Sequence, residues 1–195
     1  MDKDAIKTTS VGLPANGTGN REACPKRWYV AQVRNCCERK VAKKINSLGI
    51  EAFAPIQKEI HYWSDRKKVI DRIVIPMVVF VKMSNEDIRV VRDLSFVYTL
   101  LKAPGAREYA VIPDKQIEDF CRMLAQHDEA VTMDSSKLVA GTEVEVVRGP
   151  MKGMVGKVAE LGVKKTRVYV NLGFLGSANV LIDIADVKCI SKTNN

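Results

Sequence analysis

The residues able to do chemistry lie in a few short stretches. Gly149 to Val158, GPMKGMVGKV, packs three glycines and two lysines into ten residues. That is the composition of a phosphate-binding loop, which needs G-x-x-x-x-G-K-[ST]: backbone N–H groups wrap the phosphates, the lysine reaches them and the hydroxyl holds magnesium. Here Val158 follows Gly156-Lys157, and Met151 stands where the first glycine belongs. The nucleotide reading fails at two of its fixed positions, so the glycines call for a different explanation.

The other reactive groups are sparse. The five cysteines (Cys24, Cys36, Cys37, Cys121, Cys189) include no C-x-x-C pair, and His61 and His127 do not stand at metal-site spacing from them. Neither a metal centre nor another cofactor is expected. A reducing compartment would leave the cysteines as thiols, and free cysteine most often serves as a small buried hydrophobe. No Ser or Cys has a histidine partner placed by a motif, so catalysis is not expected.

What remains is cationic and aromatic. Lys and Arg outnumber Asp and Glu by 31 to 23, a balance suited to a polyanion or to a protein bound to one. The excess is concentrated between residues 26 and 126. Within HYWSDRKKVIDR, a stretch that reads as an exposed hairpin, Arg66, Lys67, Lys68 and Arg72 accompany Tyr62 and Trp63. Cations neutralise phosphates and rings stack on bases, so this is a candidate nucleic-acid contact. Arg39, Lys40, Lys43 and Lys44 form a second cationic group, for which a solvated helix face is the competing reading.

The elements that would carry these residues follow from patterning. RWYVAQV (27–33) reads as a strand buried on both faces. Asn35 and Glu38 form a capping-box-like start to a helix whose stripe is Cys37, Val41, Ile45 and Leu48 and whose stop is Gly49. IEAFAPI (50–56) and the apolar IVIPMVVFVKM (73–83) read as strands, the second with Pro76 near its start. Ser84 and Asp87 cap a short helix, VYTLLK (97–102) is a strand, and Pro113 opens a helix carrying Ile117, Phe120, Cys121 and Leu124. This β-α-β-β-α-β-α order suits a small sheet covered by helices.

From residue 139 the pattern changes. Period-two runs at Val144 and Val146, Val168 to Leu172 and Val180 to Ile184, separated by glycine turns, describe a small all-β barrel. GPMKGMVGKV then joins two of its strands. Residues 1–25, polar and without periodicity, read as a disordered tail, and 127–138 as a linker. The expected fold class is therefore α+β: a small, mostly antiparallel sheet with helices over 26–126, then an SH3-like barrel over 139–195. No apolar run suffices to span a bilayer, and a cytoplasmic protein is expected.

The two halves in this order resemble the NusG-type transcription elongation factors, an NGN domain followed by a KOW domain, over about residues 26 to 192. KRWYVAQVRNCCERKVAKKI is similar to the family's opening strand and helix, IPMVVFVKM to its P-x-Y-[LV]-[FL]-V strand, and VEVVRGPMKGMVGKVAEL to the KOW signature. Met77 and Val78 stand where the family usually has Gly-Tyr, and Ile75 where it often has Phe. With the long hairpin and polar extension, these departures resemble specialised paralogues such as RfaH and the antitermination proteins of polysaccharide-biosynthesis operons.

The resemblance implies a monomer that binds RNA polymerase and reduces pausing or termination. It implies docking of an apolar patch (Ile73, Val74, Ile75 and Pro76, with Trp28 or Tyr29 and Phe53) on the clamp coiled coil of one large subunit, and contact of Arg89 and Arg92 with the other. Non-template DNA would meet the hairpin. Rho or a small-subunit ribosomal protein would meet Phe174 and Leu175 on a permanent barrel. A ribosome-associated RNA-binding protein is the alternative, since KOW barrels also occur there.

Overall fold

The computed structural model describes residues 25–63, 66–126, 129–134, 141–159 and 164–190. The tail expected over 1–25 and Cys24 lie outside them except for Pro25, as do His127 and half of the expected linker. The first half is built on a five-stranded antiparallel sheet. Its centre is β1 (Arg27–Val33), paired on one side with β5 (Val78–Met83) and on the other with β6 (Val97–Leu100) and β7 (Val111–Ile112). β2 (Glu51–Phe53) closes the β5 edge. Alternation along β1 sends Trp28 and Val30 into one apolar core and Tyr29, Ala31 and Val33 into another, so the sheet is covered on both faces.

α1 (Glu38–Asn46) and α2 (Asp87–Arg92) cover the Tyr29 face, burying Val41, Ile45 and Val91. α3 (Asp114–Ala125) covers the Trp28 face with Ile117, Phe120 and Leu124. α1 gives way to a turn closed by Gly49, whose φ of 79° is the left-handed conformation glycine favours. Its start differs from expectation. The helix begins at Glu38 with Cys37 preceding it and no side-chain cap, because Asn35 Oδ1 accepts from the Cys36 N–H instead. Leu48, expected on the packed stripe, is exposed, since the helix has already ended.

The two apolar segments at 50–56 and 73–83 are not single strands. Pro55 stops β2, and Ile56 begins β3 (Ile56–Tyr62), which pairs with β4 (Lys67–Ile73) in a two-stranded hairpin separate from the main sheet. Ile73 therefore closes the hairpin, residues 74–77 cross over, and β5 starts only at Val78. Proline cannot donate to a strand ladder, so the chain changes sheets at Pro55 and again around Pro76.

The second half is a six-stranded antiparallel sheet in the order β13, β9, β10, β11, β12, β8. Its strands are β8 (Thr132–Asp134), β9 (Thr142–Val146), β10 (Val155–Val158), β11 (Lys165–Asn171), β12 (Ser177–Asp183) and β13 (Val187–Cys189). Val144, Val158, Val168, Val170 and Val180 share one core, with Val187 packed against it. β8 comes from the stretch expected to be linker and pairs with β12.

GPMKGMVGKV supplies the turn from β9 to β10 and β10 itself. Gly149 and Gly153 have φ of 77° and 81°, and the Gly153 N–H returns to the Val146 carbonyl at 2.7 Å. Gly149 and Gly153 thus serve a tight turn rather than a phosphate.

α3 also faces this second sheet. Lys115, Gln116 and Asp119 line a crevice of about 300 Å³ with Val155, Gly156, Tyr169 and Ser177. A buried tie, Gln57 of β3, fixes the hairpin to the segment after α3: its Nε2 donates to the Gln126 and Glu129 carbonyls at 3.2 and 2.7 Å, and its Oε1 accepts from the Val131 N–H at 2.8 Å.

Candidate docking patch and nucleic-acid contacts

An aromatic chain runs across the Trp28 face of the sheet. Trp28 meets Phe53 edge-on at 5.6 Å, Phe53 stacks on Phe80 at 5.0 Å, and Phe80 meets Phe120 of α3 edge-on at 5.7 Å. Phe80 and Phe120 are fully enclosed, whereas Phe53 is half-buried. The crossing turn lies alongside: the Val74 N–H donates to the Pro55 carbonyl at 2.8 Å, which brings residues 74–77 next to the end of β2.

Within that turn Val74 is buried, Ile73 and Ile75 are half-buried and Pro76 is exposed. Trp28, Phe53, Val74 and Ile75 join one apolar cluster, and Pro76 extends from it. Tyr29, an alternative to Trp28 in the sequence reading, belongs to the other face, where its hydroxyl donates to Asn85 Oδ1 at 3.0 Å. Adjacent strand residues point to opposite faces, so Trp28 and Tyr29 cannot serve one patch.

The turn is held by a group that sequence reasoning assigned elsewhere. Glu38, 1% exposed, accepts the Met77 N–H on Oε1 at 2.8 Å, while the Met77 carbonyl accepts from the Val33 N–H at 2.9 Å. Met77 has φ of 60°, so a non-glycine residue is pinned on both sides in the left-handed region. Its position after a proline and at the family's usual glycine was the available signal.

The cationic residues divide. Trp63 is half exposed, with the Arg66 guanidinium 5.7 Å and the Lys68 ammonium 5.8 Å from its ring centroid. Lys67 starts β4 opposite Tyr62. Arg72 is used internally: it donates to Glu59 at 2.6 Å and to the Val131 carbonyl at 3.1 Å. It therefore braces the hairpin rather than offering a free charge. Arg89 and Arg92 are both exposed on α2. Phe174 and Leu175 form a 3-10 turn (Gly173–Leu175) and are half-buried against the core, less exposed than a contact loop was expected to be.

Two electrostatic features border the patch. Lys82 pairs with Asp114 at 2.7 Å, which raises the lysine and lowers the carboxyl from their ordinary values. Burial pushes the Cys121 thiol up to about 11, with Glu51 and Glu118 adding to it. Cys36 and Cys189 are exposed rather than buried as expected. No group of three metal-ligating side chains occurs among the described residues.

A sheet domain with an apolar crossing turn is thus followed by an all-β module. Residues 26–121 match the family described as transcription termination factor nusG. The transcription termination/antitermination protein NusG of Vibrio cholerae is 27% identical over 168 residues, covering 80% of this chain and 91% of the relative. That of Escherichia coli K12 is 26% identical over 179 residues, covering 86% and 98%. Among solved structures, Thermotoga maritima NusG aligns with 22% identity and a TM-score of 0.45 over 85% of this chain and 98% of that one. The chain belongs to the NusG family of transcription elongation and antitermination factors, with an NGN domain followed by a KOW domain.

Proposed function

We propose that this protein binds RNA polymerase through the Trp28, Phe53, Val74, Ile75 and Pro76 patch, on the clamp coiled coil of one large subunit, and lowers pausing and termination on a dedicated set of operons, those for polysaccharide biosynthesis. The observation that carries the docking reading is the crossing turn itself. Ile75 and Pro76 extend from a rigid aromatic cluster on a backbone pinned by Glu38, and partly exposed apolar groups on a fixed support are what binding hot spots consist of. Arg89 and Arg92 on α2 form the contact with the opposite large subunit. Trp63, Arg66 and Lys68 touch the non-template strand, and the Phe174–Leu175 turn meets Rho or a small-subunit ribosomal protein.

Capture of tagged protein from lysate of its own host, with nuclease present, tests the reading. Wild type should recover the polymerase large subunits, while Ile75→Asp and the exposed-site Pro76→Glu should not, with thermal unfolding unchanged for the second. Retention of polymerase by both variants would remove the patch assignment. Recovery of ribosomal proteins without polymerase would favour the RNA-binding alternative.

A further inference from the structure

A stretch without structure of its own leaves the units it joins free to move, and residues 127–138 read as such a stretch. Its described part, 129–134, is instead gripped from both sides. On the side of the first domain, Gln126 at the end of α3 accepts the Glu129 N–H on Oε1 at 2.9 Å and donates through Nε2 to the Glu129 carbonyl. Gln57 of β3 donates to the same carbonyl at 2.7 Å and accepts the Val131 N–H at 2.8 Å. Arg72 of β4 donates to the Val131 carbonyl at 3.1 Å. Gln57, Gln126 and Val131 are all buried.

The grip on the barrel side begins one residue later. Thr132, Met133 and Asp134 lie opposite Asn179, Ala178 and Ser177 of β12, and the Thr132 hydroxyl donates to the buried Asn179 Oδ1 at 2.7 Å. Glu129 also pairs with Lys165 of β11. Val131 is thus fixed to the hairpin and Thr132 to the barrel, and the two are consecutive. No residue lies between the grips to act as a joint. Residues 135–140 connect β8 to β9, two strands of one sheet, so a bend there would not move the barrel past the first domain.

We propose that residues 129–134 are a strap that makes the first domain and the barrel a single rigid body, and that the strap opens on its hairpin side. There the hold is made by side chains, whereas on the barrel side it is a backbone ladder closed by a buried asparagine. Removing a buried amide or guanidinium strands the backbone groups it served, so loss of Gln57 and Arg72 releases the strap from the hairpin while β8 stays on β12. With the strap seated, the barrel is carried at a fixed place beside α3 instead of on a tether. The inference goes beyond the docking reading and does not depend on it.

Two exposed cysteines make the test direct, because Cys36 precedes α1 and Cys189 ends β13. In the full-length chain carrying Cys24→Ser, Cys37→Ala and Cys121→Ala, nitroxide labels on Cys36 and Cys189 report the distance between the two halves by pulsed electron resonance. A single narrow distance distribution is expected. Gln57→Leu combined with Arg72→Ala should abolish the narrow peak and leave a broad distribution in its place.

A broad distribution before any strap residue is changed would overturn the proposal, and so would a narrow peak that survives the double substitution. Should the double variant lose its thermal transition, Arg72→Ala alone, at a half-buried position, decides by the same criterion. Neither polymerase nor nucleic acid enters the measurement, so its outcome is separate from that of the docking reading.

Discussion

Glu38 in α1 and Met77 in the crossing turn are joined by a 2.8 Å hydrogen bond from the Met77 backbone N–H to a carboxylate that is 1% exposed. One buried side chain thereby fixes the backbone from which Ile75 and Pro76 project. Replacing it with alanine leaves a buried N–H without a partner, at a cost of about 2 kcal/mol. Glu38→Ala should lower the urea midpoint and weaken polymerase capture, although Glu38 is not itself part of the patch. Glu38→Gln, which keeps an acceptor, should retain most of both. Normal capture by a destabilised Glu38→Ala would show that the turn keeps its shape without the bond.

Gln57 performs a similar service between the hairpin and the segment after α3. It is fully buried and satisfies two carbonyls and one N–H on residues 126–131. Gln57→Leu fills comparable space but leaves the Val131 N–H unpaired, so a loss of about 2 to 3 kcal/mol is expected. Hydrogen exchange at Val131 should accelerate in parallel. Unchanged exchange there would mean that another acceptor replaces the glutamine.

How far sequence leads depends on which force sets each element. β1 was legible residue for residue because both of its faces are apolar and Arg27 and Arg34 bound the run. The stretches around Pro55 and Pro76 were not, because an apolar run records burial and not the direction of the chain. Val74 is as buried as a strand residue although it sits in a crossing turn. Trp28 and Phe53 could be named as patch residues from type and resemblance, whereas excluding Tyr29 required the register that sends it to the opposite face. Glu38 looked like a helix cap because its long-range partner, 39 residues away, leaves no local trace. Arg72 looked like a free cation for the same reason: Glu59 and Val131 become neighbours only once the hairpin forms.

Asp119 supplies a pH dependence. It lies on α3 with a side chain 4% exposed, Lys115 at 3.2 Å and Arg122 at 3.9 Å. Burial holds its carboxyl above the ordinary aspartate value despite both cations. The folded state therefore holds this proton more tightly than the unfolded chain does. Stability contributed by the group is lost as pH rises from the ordinary aspartate value through the raised one, and recovered as pH falls. Asp119→Asn should consequently gain stability relative to wild type at pH 7, with the difference shrinking toward pH 4. Urea titrations of both proteins at the two pH values measure it. A gap that widens on acidification would mean that Lys115 and Arg122, rather than burial, dominate.

Gly156 separates the two meanings of GPMKGMVGKV most directly. Its φ lies outside the left-handed region, so backbone freedom is not its reason. A Cβ there would lie 2.5 Å from Val168 Cγ1 and 2.8 Å from the Tyr169 carbonyl oxygen, with β11 in the way. The strand pairing that places Lys157 opposite Tyr169 and Val158 opposite Val168 leaves little room to shift. Gly156→Ala should therefore cost roughly 1 to 3 kcal/mol through overpacking. Gly149→Ala meets no atom within 4 Å and is strained by φ alone, at about 1 kcal/mol. Thermal unfolding of the two variants should rank Gly156→Ala below Gly149→Ala, and addition of magnesium nucleotide should move neither. Wild-type stability of Gly156→Ala, or a nucleotide-dependent shift that it abolishes, would return the stretch to phosphate binding.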